Sequence, residues 1–580
     1  VGPLKAFLSL FLLIASLGAE AKSLSVHVFY WSNRIEAQVA MRRGFEEEIK
    51  KYNESAKQII QLIPHVAGEG HLGVMNQIHQ MENAIDLNPD ALIVQPADIS
   101  TVSRATQDAA LKKIPVFTFD QFVLNGKVAS YVASDNYQAG WNNGIYVESL
   151  FPKNHEIKIV IFEYTRVSAV INRIDGFFDA LRSRKRKFVV LKRYEAIDPL
   201  AAGDAVNSMM KEFPKKRSID LIFSVNDGGG NTVVEKLWNK GRREVIHASI
   251  DGDPVAVTNI KERRLTVIDS AQYCAEMGRE IARQLIAHFS GTPVTPKVLI
   301  PTFPVTRETV SEFKGWLALP APPPKSFPDP RASGSQQIQG DYGGATVRIG
   351  MAAHCPYLCD RGADVWSGYV FDILKDMAQK NNFKLKIVNT KNDELAKALK
   401  AKKIDFAVMP SYLVRYQPGY QIARSKLGVS YTGALFTPGI KMRVVDKNSL
   451  ENLRVAFANL GQENDFSLDP EEFKKSIKLE GVDVAEKVIK VIGERRVDVA
   501  LGDYNVIRYT QQRRQLLSLE LQATSLTGFN TLSLVAAESP PAFADHPLRL
   551  QVWLAQARKS DQLQKILTKY NLKDWSDFEY

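Results

Sequence analysis

The sequence predicts an α/β protein built as two bilobal domains, and three observations predict it. Apolar runs of strand length alternate with amphipathic runs of helix length through most of the chain, the pattern of parallel sheets covered by helices on both faces. A Pro/Gly/Ser-rich stretch at 320–344 interrupts that alternation, which then begins again. At 580 residues the chain also exceeds what one hydrophobic core fills.

The first 21 residues stand apart. Lys5 precedes an apolar run over 6–17, and Ala19-Glu20-Ala21 follows. A charged start, about a dozen apolar residues and a small-residue cleavage site predict a secretory signal peptide at 1–21, removed before Lys22; the run is shorter than the ~20 residues of a membrane span.

Residues 22–319 are expected to form the first domain. Strands at 25–30, 91–94 and 116–119 alternate with helices at 37–51 and 99–112, and the pattern resumes with strands at 157–162, 189–191 and 221–224 and helices at 173–182 and 202–211, continuing to about 303. A division near 125 gives two lobes around a crevice. The stretch 320–344 holds Pro320-Ala-Pro-Pro-Pro324 and Asp341-Tyr-Gly-Gly344, stiff at its proline end and flexible at its glycine end, and reads as a linker without core contacts. Residues 345–580 form the second domain. Here strands at 347–351, 385–388, 406–409, 453–457, 497–501 and 531–537 surround helices at 370–381, 395–399 and 484–494, before two helices near the C-terminus.

Composition narrows the function classes. With 45% hydrophobic and 24% charged residues the chain is an ordinary globular protein. Its net charge of +11 is dispersed, whereas nucleic-acid binding calls for a basic stripe interleaved with aromatics, so no nucleic-acid partner is expected. Three cysteines are too few for a disulfide scaffold. Cys355 and Cys359 are a disulfide candidate in an oxidising compartment, and Cys274 reads as a buried apolar residue. No grouping of His and Cys predicts a metal. No P-loop, G-x-S-x-G or H-E-x-x-H predicts a cofactor or an enzyme, and the glycine run at 228–230 lacks the Lys-Ser/Thr of a phosphate loop.

Polar phrases at 131–136, 223–227 and 248–252 each end or follow an apolar run. That places polar groups at the carboxyl ends of buried strands, where open α/β sheets bind ligands.

Six phrases in order carry a resemblance: Ile114-Pro-Val-Phe-Thr-Phe-Asp120, Ala133-Ser-Asp-Asn136, Asn172-Arg-Ile-Asp-Gly-Phe177, Val225-Asn-Asp227, Ser249-Ile-Asp-Gly252 and Gln272. Residues 23 to about 310 resemble a periplasmic sugar-binding protein of the ribose-binding, type I class, a fold shared with LacI-type repressors. The resemblance implies that Asp120, Arg173, Asn226, Asp251 and Gln272 line a sugar site. A carboxylate, a guanidinium fork and amides suit polyol hydroxyls; the alternative is that Asp120 and Asp251 are turn or capping residues. Where the family carries an Asn-Pro-Phe-type phrase, this chain has Tyr30-Trp-Ser-Asn-Arg-Ile35. Trp31 then either supplies the stacking surface from a shifted position or packs in the core.

Residues 346–580 resemble, less faithfully, a solute-binding protein of the amino-acid-binding, type II class, through Cys355-Pro-Tyr-Leu-Cys359, Trp366-Ser-Gly-Tyr-Val-Phe-Asp372, Lys403-Ile-Asp-Phe406 and Arg496-Val-Asp-Val-Ala-Leu-Gly-Asp503. The resemblance implies two Venus-flytrap domains in tandem, type I then type II. It puts Asp503 where that family holds a ligand's amine, with Tyr357 and Trp366 as ring contacts. The carboxylate-binding arginine is displaced: Gln417 takes its register, and Arg415 serves if the loop is shorter. The expected anion-binding turn is replaced by Ala458-Asn-Leu-Gly-Gln-Glu463.

The expectation is therefore a secreted, periplasmic solute-binding protein that captures a sugar-like ligand in its first domain and an amino-acid- or amine-like ligand in its second. Its partner is a membrane permease of ABC-type uptake or, alternatively, a membrane sensor that reads the closed state. A dehydratase-type second domain, with Glu463 or Asp503 as acid, is the lesser alternative.

Overall fold

The computed structural model describes residues 23–580 apart from 166, 331–339, 441, 459–469, 474, 482, 538–544 and 577–580. The expected leader at 1–21, part of the 320–344 stretch, and Glu463 with most of its phrase lie outside the described residues.

Two compact units form. One takes the described chain up to 132 together with 274–298, and the other takes 133–273 and 299–580. The division expected near 125 thus falls at 132–133, and a segment remote in sequence returns to complete the first unit.

The first unit carries a six-stranded sheet in the order Lys297–Ile300, Ser130–Ser134, Val116–Phe119, Ala91–Val94, Leu24–Tyr30, Ile60–Val66. The inner strands Ala91–Val94 and Val116–Phe119 are buried at every position, as all-apolar runs in a parallel sheet covered on both faces should be. Ile60–Val66 lay outside the strands expected from sequence. It holds Pro64 and pairs only with Leu24–Tyr30, an edge position that tolerates the missing N–H. Helices Glu36–Asn53 and Cys274–Phe289 cross in backbone contact, because a Cβ on Gly44 would stand 2.0 Å from the Ala275 carbonyl oxygen.

In the second unit, strands run Phe303–Thr306, Thr266–Ala271, Ile246–Asp251, Leu221–Ser224, Ile157–Glu163, Phe188–Glu195. All pairings are parallel except that of the edge strand Phe303–Thr306. Its core holds Ile159, Ile161, Phe177, Phe223 and Ile268, and Phe327 is buried in the same cluster. The expectation that 320–344 makes no core contacts is corrected here. Phe327 is a large apolar ring inside a proline-rich stretch, and burying it outweighs leaving the segment in water. Ala321 N–H also donates to the Tyr273 hydroxyl at 2.9 Å.

The same unit continues into two five-stranded sheets. One runs Lys384–Asn389, Thr346–Met351, Phe406–Pro410, Asn530–Ala537, Tyr420–Ser430, with Asn530–Ala537 antiparallel to both neighbours. The other runs Ser476–Leu479, Val455–Ala458, Val499–Asp503, Thr432–Phe436, Leu521–Ala523. Cys355 and Cys359 are bonded, with S–S 2.14 Å, and Cys274 is a buried free thiol. Among the described residues no helix is long and apolar enough to cross a membrane.

Candidate ligand sites

Helices Asn136–Ser149 and Ser168–Ser183 meet through glycines. A Cβ on Gly140 would lie 1.8 Å from the Arg173 carbonyl oxygen, and one on Gly176 would lie 2.1 Å from that of Tyr137. This contact brings Arg173 beside Asn136 at the start of the neighbouring helix. Arg173 Nε donates to Asn136 Oδ1 at 2.8 Å, and Nη1 donates to the Val225 carbonyl at 2.6 Å. The same Nη1 lies 3.0 Å from Asp251 Oδ1.

Asp251 ends the strand Ile246–Asp251 with φ 140°, a conformation uncommon outside glycine and costing of order 1–3 kcal/mol. Gln272, just past the neighbouring strand, donates its amide to Asp251 Oδ1 at 2.5 Å and accepts from the Ser134 hydroxyl at 2.7 Å. The result is a buried polar chain, Ser134 to Gln272 to Asp251 to Arg173 to Asn136, assembled at the carboxyl ends of strands.

Three of the expected sugar-site residues therefore converge: Arg173, Asp251 and Gln272. Asn226 is adjacent, but its amide is committed to the backbone, donating to the Ile197 carbonyl at 2.9 Å and capping Asp227–Asn239 through Gly229 N–H. Ser134 and Asn136 lie in a phrase the sequence reading quoted, yet were not assigned roles; their position directly after a strand was the signal available.

Behind Asp251 stand two further buried carboxyls missed in the sequence. Asp227 accepts from Ser249 Oγ at 2.5 Å and from Asp253 N–H at 2.8 Å. Asp269 accepts from Gly252 N–H at 3.1 Å. Burial, and then the neighbouring carboxylates, hold Asp227 well above the usual carboxylate range; burial foremost pushes Asp269 up to about 7. Asp251 is also raised by burial, against the pull of Arg173.

Trp31 and Asp120 belong to the first unit. Each follows a strand of its sheet, Leu24–Tyr30 and Val116–Phe119. Trp31 N–H donates to the side chain of Gln95, which follows the strand between them in the sheet order. Asp120 has φ 69°, so both expected sugar-site carboxylates sit on left-handed backbone.

A second site lies in the C-terminal half. A cavity of about 450 Å³ is lined by residues including Met351, His354, Tyr357, Tyr412, Ser430, Asp503 and Asn530. Asp503 caps the helix Tyr504–Arg513 through Val506 N–H at 3.0 Å and accepts from Tyr357 Oη at 3.0 Å and from Ser430 Oγ. Burial lowers His354 and, with the Asp503 charge, raises Tyr357 well above its usual value, so both are neutral near pH 7. Lys391, Asn392 and Asp393 also line the cavity, so it presents the buried Asp503 carboxylate together with an adjacent Lys391 and Asp393 among its aromatic and apolar walls.

Arg415 and Trp366, expected in this site, lie elsewhere. Arg415 is not in the cavity: it is buried, and its Nε donates to Asp175 Oδ1 at 2.6 Å, on the helix that carries Arg173. The segment Tyr412–Arg415 forms a one-turn helix, and that turn directs Arg415 away from the wall its neighbours Tyr412 and Leu413 supply. Trp366 pairs in the two-strand ribbon with Cys359–Asp360 and is not among the lining residues.

Known proteins place the first half. The family described as "Periplasmic binding protein domain" matches residues 27–293. Residues 27–293 are a type I periplasmic binding protein domain. The ribose import binding protein of Bacillus subtilis is 26% identical over 251 residues, 43% of this chain and 77% of that protein. The ribose import binding protein of Salmonella typhimurium is 26% identical over 216 residues, 36% of this chain and 71% of its own. The D-xylose-binding periplasmic protein of Haemophilus influenzae is 24% identical over 220 residues, 36% of this chain and 64% of that protein. Among solved structures, an ABC transporter solute binding protein from Bacillus halodurans with bound myo-inositol aligns with TM-score 0.45 and 22% identity, covering 51% of this chain and 98% of that one. The periplasmic binding protein domain therefore holds the Arg173–Asp251–Gln272 network, and its helix Ser168–Ser183 carries the contact to Arg415.

Proposed function

We propose that the chain is a periplasmic solute-binding protein whose first domain captures a sugar-like polyol for ABC-type uptake, handing it to a membrane permease. The observation that carries this reading is the Asp251 carboxylate held between the Arg173 guanidinium and the Gln272 amide. A carboxylate accepts two hydroxyl protons, and a guanidinium donates to adjacent oxygens, so a vicinal diol satisfies both at once. The ribose and D-xylose proteins among the relatives support the same ligand class.

For the C-terminal half, of type II character in this reading, we propose a ligand with a positive amine and an apolar body. Asp503 supplies the countercharge, and Arg415, the candidate for an α-carboxylate, is committed to Asp175. Lys391, which lines the cavity, is the cation left there for a ligand carboxylate.

Calorimetric titration of the full chain with D-ribose and D-xylose tests the first assignment. Saturable binding that Arg173→Ala weakens by about 2–5 kcal/mol is expected, the scale for truncating one member of a buried charged hydrogen-bond set. Equal affinity in the variant sinks it.

A further inference from the structure

Asp175 lies two residues beyond Arg173 on the helix Ser168–Ser183. Its Oδ1 accepts from Arg415 Nε at 2.6 Å, and its Oδ2 is 3.7 Å from Lys426 Nζ. All three side chains are at most 4% exposed. Burial raises the Asp175 carboxyl, but the Arg415 and Lys426 charges outweigh it and hold the group ionised.

Each cation leads to the cavity by a short path. Arg415 ends the helical turn Tyr412–Arg415, whose Tyr412 lines the cavity. Lys426 shares the strand Tyr420–Ser430 with Ser430, which donates to Asp503. Two further bonds fasten the same turn: Arg182 Nη1 donates to the Arg415 carbonyl at 2.7 Å, and Tyr416 Oη donates to Glu163 at 2.8 Å.

Charges buried this way rely on one another in place of water, so a displacement of one side weakens the pairing of the other and is costly unless it is followed. A diol drawing on Arg173 acts on the helix Ser168–Ser183, and an amine drawing on Asp503 acts through Ser430 on the strand Tyr420–Ser430, and the Asp175 cluster joins that helix to that strand. We propose that occupancy of the C-terminal cavity and occupancy of the Arg173–Asp251 network are thermodynamically linked through Asp175, Arg415 and Lys426, so that the chain reads two ligands jointly. The link rests on the sugar and amine readings above, and by reciprocity each ligand changes the other's affinity by the same factor.

Hydrogen exchange on the full chain tests the link without a ligand. Arg173→Gln alters the pull of the network on its helix, and exchange at 411–416 and 428–431 should change by about fivefold or more. The response should vanish when Asp175→Asn, Arg415→Gln and Lys426→Met remove the linking charges together. Equal exchange in parent and Arg173→Gln overturns the proposal. Should the triple variant fail to fold, Arg415→Lys keeps the charge but not the Nε donor, and an undiminished response in it overturns the proposal as well. A parallel run with D-ribose separates the two readings. Ribose binding that changes exchange at 411–416 supports both, and ribose binding without that change overturns the link alone. Failure of D-ribose and D-xylose to bind, with the Arg173→Gln response intact, counts against the sugar reading alone.

Discussion

The ring of Phe327 stacks on that of Tyr146, centroids 6.1 Å apart and planes 21° from parallel. Tyr146 lies on the helix Asn136–Ser149, so a proline-rich segment is pinned to the core that supports the Arg173 network.

Phe327→Ala is expected to lower the stability of the full chain by about 3–5 kcal/mol, the range for removing a buried aromatic side chain. Denaturant unfolding measures it. A fragment ending at 319 should likewise be less stable than one ending at 330; equal midpoints would show that Phe327 adds nothing.

Arg415→Ala should act on stability and not on amine recognition. It leaves Asp175 buried with Lys426 3.7 Å away, and breaking a buried pair costs about 3–5 kcal/mol. Thermal unfolding beside calorimetry with an amine panel separates the effects. Intact stability with lost amine binding would return Arg415 to the cavity.

The α/β architecture was legible because parallel strands buried on both faces are all-apolar runs, as at 91–94 and 116–119. Ile60–Val66 escaped because Pro64 and its half-exposed pattern hide an edge strand. In the sites, Arg173, Asp251 and Gln272 were assigned because each stands in a phrase that resembles the sugar-binding family, and the fold brings the three side chains together. Arg415 was misplaced for the opposite reason: its role is set by Asp175, 240 positions away, and no local pattern encodes a contact of that range. Asn226 shows the same limit, since sequence alone does not tell an amide facing a ligand from one capping its own helix.

Asp269→Asn should flatten the pH dependence of stability. The folded carboxyl titrates near 7, above its unfolded value of 3.8, so the folded state holds more protons between the two. The associated stability, shared with the hydrogen-bonded Asp227 carboxyl, is present below about pH 4 and is lost as pH rises through about 7. Asparagine keeps an acceptor for Gly252 N–H and cannot ionise. Raising pH from 4 to 8 should therefore cost the parent more than the variant, and parallel pH–stability curves would refute the assignment. His247 works in the other direction in both proteins: burial lowers it to about 3, so its contribution is lost as pH falls below about 6.5.

Asp503→Asn distinguishes a ligand carboxylate from a helix cap. Asparagine caps a helix about as well as aspartate, so the bond from Val506 N–H survives and stability should move by no more than about 1 kcal/mol. With the carbonyl oxygen at Oδ1, Tyr357 Oη keeps its 3.3 Å bond there, and the amide nitrogen in place of Oδ2 donates to Ser430 Oγ instead of accepting from it, but the negative charge is gone. A bound ammonium would lose a charge-assisted hydrogen bond, about 1.5–3 kcal/mol, or roughly tenfold or more in affinity. Calorimetry of parent and variant against a polar amine panel, with standard amino acids alongside, measures the difference. Unchanged amine binding would leave Asp503 as the residue that ends its strand Val499–Asp503 and starts its helix, and the amine reading of the cavity would fall.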